Sequence, residues 1–156
     1  MTKKKTHEEW QQDVGKAEEQ MKLWKFTREL PKIQKELEQI DINAIGGHCG
    51  NFAEATQRIF GGDVWCSYED ELRSMDGQPA HCMIQIDDTF FDIRGSRDRE
   101  SAMFVLRDVA ESGLKEEEID TQIELVDKWG YKEIRDEDTI TTIEKIIRKH
   151  IDEVMT

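Results

Sequence analysis

Cys49 follows Gly46, Gly47 and His48 and opens the stretch CGNFAEATQRIF, which Gly61 and Gly62 close. A cysteine placed there can do thiol chemistry. At the start of a helix, unpaired backbone N–H groups and the positive end of the macrodipole favour the thiolate, the form that attacks. The same N–H groups can receive a developing oxyanion. A sulfur nucleophile also needs a base to take its proton and a carboxylate to hold that base in its working tautomer. His81 and Asp92 are the residues of suitable type downstream.

The elements that must position them follow from periodicity. Cys49, Phe52, Ala53, Thr56, Ile59 and Phe60 share one helical stripe, so Cys49 points toward the body of the protein. The stretch AHCMIQIDDTFFDIRG reads as two strands, 80–86 and 89–95, joined at Asp87-Asp88. Placing the apolar alternations on one face demands a two-residue turn there. Ile84 then faces Phe91, Cys82 faces Ile93 and Met83 faces Asp92. His81 faces Arg94 and sits diagonal to Asp92, on the opposite face from the aliphatic ladder, within reach of its carboxylate.

A cysteine at a helix N-terminus, a histidine opening a strand and an aspartate on the next strand resemble the papain-like cysteine hydrolase superfamily. The His-to-Asp spacing is most similar to the transglutaminase-like and NlpC/P60-like branches, and the resemblance covers about residues 46–95. It implies a fold of α+β class, papain-like, with the Cys-bearing helix packed on a small antiparallel sheet. It also implies Cys49 as nucleophile, His81 as base and Asp92 as orienting residue. CGNFA echoes the papain-type CGxCWxF start, without the second cysteine or the tryptophan. The activity so implied is a hydrolase or acyltransferase acting on an amide or ester carbonyl through a Cys49 acyl-thioester. Its substrate would be a peptide, a protein or a small amide. The alternative is a catalytically inactive papain-like domain that serves protein interaction.

Other uses of the same residues are weaker. His48, Cys49, Cys66, His81 and Cys82 include both common zinc-ligand types but no CxxC or HxxxH pair, and His81 and Cys82 point to opposite strand faces. We therefore expect no metal and no cofactor. Cys66 reads as a core residue, His48 as a capping or solvent-facing residue, and Arg94 and Arg97 as surface residues.

Composition narrows the remainder. At 156 residues the chain suits one domain, and a net charge of −13 argues against a nucleic-acid or anionic-membrane surface. No apolar run is long enough for a membrane span, and the basic start MTKKK lacks the hydrophobic segment of a secretory signal. Three cysteines without a CxxC pair suggest free thiols in a reducing, cytoplasmic or intracellular setting, with a virion component or non-classical export equally compatible. Residues 7–40 read as helix, with Trp10, Val14, Ala17, Met21, Trp24 and Leu30 near one face and Pro31 dividing the segment in two. DVWCSYE, 63–69, reads as a strand and 98–112 as a helix. TQIELVDKW suits strand or helix, YKEIRDEDTI suits a strand at its start, and 138–154 reads as a helix with Ile140, Ile143, Ile147 and Ile151 on one face. The whole is one domain over 1–156. It has a helical N-terminal extension at 1–40, a catalytic core at 46–95, and a mixed or helical part at 98–156.

Overall fold

A computed structural model describes residues 6–44, 48–67, 81–110, 123–126 and 135–153. The loop expected at 70–79, the acidic run KEEEID and the start of YKEIRDEDTI lie outside them. Helix α1 spans His7–Gln39, α2 Cys49–Phe60, α3 Arg99–Ala110 and α4 Glu137–Glu153. Strands β1 (Asp63–Ser67), β2 (His81–Ile86), β3 (Thr89–Asp92), β4 (Gly95–Arg97) and β5 (Ile123–Val126) form one sheet in the order β4-β3-β2-β1-β5. Every neighbouring pair is antiparallel. The fold is α+β, with helices packed against a small antiparallel sheet.

Both faces of the sheet are covered. On one, Val64, Cys66, Cys82, Ile84 and Phe91 meet α2 and the buried stripes of α1 and α4. On the other, Met83 and Phe90 meet Ala102 and Leu106 of α3. This double burial explains why β2 is buried at five of its six positions, where a sheet wet on one side would alternate. Ile140, Ile143, Ile147 and Ile151 are all core residues, as their spacing predicts.

The hairpin register is the one the apolar pattern dictates. Ile84 pairs with Phe91 and Ile86 with Thr89 across the Asp87-Asp88 turn. The second strand ends early, however. At Asp92 the chain doubles back, pairing Asp92 with Gly95 to start β4. Asp92 Oδ1 accepts the Arg94 backbone N–H at 2.8 Å, an Asx-type turn that competes with continued strand. Gly95, at φ 133°, supplies a backbone shape that other residues resist.

Helix α1 differs from expectation in two ways. It runs through Pro31 without dividing. Phe26, Leu30, Ile33 and Leu37 form a core-facing stripe on both sides of the proline, and their burial holds the helix continuous despite the lost hydrogen bond. The face expected to pack is also largely unpacked. Of Trp10, Val14, Ala17, Met21, Trp24 and Leu30, Leu30 alone is buried. The N-terminal half of α1 leaves the body with its apolar stripe exposed.

Gly62 fixes the passage from α2 into β1. Its φ is 97°, and a Cβ there would lie 2.3 Å from the Gln85 carbonyl oxygen of β2. Glycine alone fits.

Candidate functional site

Helix α2 begins at Cys49, whose thiol is free and 5% exposed. His48 precedes it as the N-cap, with its side chain turned along the helix to take a hydrogen bond from Asn51 Nδ2 at 2.9 Å. Asn51 is fully buried and spends its Oδ1 on the Asp136 backbone N–H, 3.1 Å away, so the first turn of α2 is tied to the start of α4. Glu54 continues that link through Arg135, and Arg58 joins it to Glu137 at 2.8 Å. Sequence reasoning missed this network, because its partners are remote in the chain and their charges read as surface.

His81 opens β2 and Asp92 ends β3, and both side chains are buried. His81 Nε2 donates to Asp92 Oδ2 at 3.0 Å, with the two side chains 2% exposed each. The Cys49 thiol also hydrogen-bonds His81. The structure thus brings Cys49, His81 and Asp92 into one buried cluster.

One neighbour, Arg94, departs from its expected surface role. Arg94 is not a plain surface residue, since its Nη2 donates to Asp92 Oδ2 at 3.0 Å and lies 3.4 Å from His81 Nε2. Arg97 does stay at the edge, donating to Ser101 Oγ. Ser67, paired with His81 across β1 and β2, is fully buried, and its Oγ has no hydrogen-bond partner among the described residues. No sequence signal marks it, because the pairing of β1 with β2 is a tertiary choice.

The electrostatics of the cluster follow from its contacts. Burial acts most strongly on His81 and pulls its pKa down, but hydrogen bonds and charge from Asp92 and Cys49 outweigh it, leaving the imidazole raised to about 9. Burial likewise pushes Asp92 up, yet the bonds from His81 and Arg94 hold its carboxyl below the usual range. The stable state is an anionic Asp92 between two cations.

The cysteines require the main correction. Cys66 and Cys82 face each other across β1 and β2, their Cα atoms 4.2 Å apart, and their sulfurs form a disulfide. The expectation of a free thiol is overturned for Cys66 and Cys82, though not for Cys49, as is the reading of Cys66 as a simple core residue. With it goes the expected cysteine hydrolase or acyltransferase working through a Cys49 acyl-thioester. The Cys66–Cys82 bridge, next to the strand position of His81, argues against a working thiol triad there. The bridge also fastens β2 to β1 at the residue next to His81. Cys49 and His81 are, in addition, only 5% and 1% exposed.

Among the described residues, no group of three or more His, Cys, Asp or Glu is arranged to hold a metal. Nor is any helix there long and apolar enough to cross a membrane. Comparison with protein-family models, with curated proteins and with solved structures found no match to this chain.

Proposed function

We propose that this chain is a catalytically inactive, papain-like protein-interaction domain. In this reading the Cys49–His81–Asp92 cluster is a buried structural core. The observation that carries the reading is the Cys66–Cys82 disulfide beside His81. Its burial-based support is the near-complete enclosure of all three side chains. The papain-like assignment is supported by the order of its parts: cysteine at a helix start, histidine on a strand, aspartate on the next, helices packed on an antiparallel sheet.

An enclosed cluster of this kind contributes by holding elements together. It joins α2, β2 and β3 through the Cys49–His81–Asp92 contacts, and its charges are paired, which buried charges require. What remains for outside partners is surface, and the exposed apolar stripe of α1 is its most conspicuous part.

A panel of ester and amide acyl donors tests the inactive half of this reading by intact-mass measurement. The expected result is no acyl adduct on Cys49 and no turnover beyond that of Cys49→Ala. Turnover that Cys49→Ala or His81→Ala abolishes would overturn it.

A further inference from the structure

We propose that α1 pairs with α1 of a second copy of this chain, antiparallel, through its first half; this rests on the interaction-domain reading and names the partner. From His7 to Met21 every residue of the helix is exposed. Yet this half is not uniformly polar. Trp10, Val14, Ala17, Met21 and Trp24 are spaced four, three, four and three residues apart, the a/d spacing of a coiled-coil seam. Trp10 is 61% and Trp24 56% exposed, with Val14 and Met21 exposed between them. At 3.6 residues per turn this seam lies roughly opposite the core-facing stripe of Phe26, Leu30, Ile33 and Leu37. The helix therefore has two apolar faces, and the fold uses one. A projecting helical half of this length is marginal in water without packing on its second face.

The seam is complementary to itself. In the antiparallel a-to-d register, Met21 meets Trp10 of the other copy, Val14 meets Ala17, and His7 meets Trp24. Sulfur–aromatic contact and a small central layer both favour that arrangement. At the flanks Asp13 faces Gln20 and Gln11 faces Glu18, so no like charges meet. A parallel pairing would set Asp13 against Glu18 twice. Antiparallel helices also align their dipoles favourably. Lys16, Lys22 and Lys25 offset much of the acidic charge here, so the net −13 of the chain does not act at this surface. Covering the four exposed side chains on both copies removes about 1,000 Å² in total, the lower bound for a specific interface. The pair is thus a reversible dimer.

Sedimentation equilibrium of the full chain from about 1 to about 500 μM tests this, a range that brackets weak association. The expected result is a monomer–dimer equilibrium that Met21→Glu weakens at least about tenfold, with circular dichroism and melting temperature matching the wild type at concentrations low enough that both are monomers. The pair Val14→Cys plus Ala17→Cys should yield an oxidised, covalent dimer, while either single cysteine should not. A monomer at every concentration, a dimer indifferent to Met21→Glu, or cross-linking by a single cysteine would overturn the proposal. A monomer that also fails to turn over acyl donors would sink the dimer and leave the inactive cluster standing, so the two failures are separable.

Discussion

Asp92 serves two structural roles with its two oxygens. Oδ1 closes the turn into β4, and Oδ2 is shared by His81 and Arg94. Removing the carboxylate would strand two buried or half-buried cations, so we expect Asp92→Ala to cost about 3–5 kcal/mol in denaturant unfolding. The pH dependence has a definite sign. His81 is raised from an ordinary value near 6.5 to about 9, so its contribution is fully present below about 6.5 and is lost as pH rises through about 9. Asp92 is depressed, so its contribution is lost in acid instead, below the ordinary carboxylate range. Urea midpoints measured from pH 6 to pH 10 should fall, and His81→Gln should flatten that fall. An unchanged slope in His81→Gln would disprove this assignment. The His81–Asp92 contact was legible in the sequence, because strand alternation and a two-residue turn dictate it. The Arg94 guanidinium was not, since nothing in a sequence tells whether a long side chain folds inward or reaches solvent. Ser67 was invisible for a related reason, as only the β1–β2 pairing sets it against His81.

Elements hold these residues through a few irreplaceable joints. Gly62 crosses β2 so closely that Gly62→Ala must push a backbone carbonyl aside, and its positive φ adds strain. We expect a loss of about 2–4 kcal/mol, measured by thermal unfolding. The Cys66–Cys82 bridge links residues sixteen apart. Replacing both by alanine should lower stability by about 3 kcal/mol, and reductant should then have no further effect. The hairpin, α2 and the isoleucine face of α4 follow from local apolar period alone. The passage of α1 through Pro31 does not, because core packing beyond the proline outweighs the local break. The disulfide was hidden too. An odd number of cysteines with no close pair reads as free thiols, and the partners meet only once β1 lies beside β2.

At the scale of the whole molecule, a covered sheet and a sealed polar cluster contrast with a helix that leaves the body carrying an apolar seam. The sealed part suits stability and the exposed part suits association. Sequence periodicity grouped Trp10, Val14, Ala17, Met21 and Trp24 with Leu30 and expected that face to pack, whereas Leu30 belongs to the opposite, buried stripe, because period alone does not say which of two apolar faces the fold will bury. Whether the cluster is structural or chemically competent is read most directly by the alkylation rate of Cys49 with iodoacetamide in the native protein near pH 7.5, with each modified cysteine located by mass spectrometry. The account predicts modification slower than that of an unstructured cysteine peptide, no labelling of Cys66 or Cys82 without reductant, and faster modification of Cys49 once His81→Ala loosens its cover. Rapid alkylation of native Cys49 that His81→Ala abolishes would contradict it.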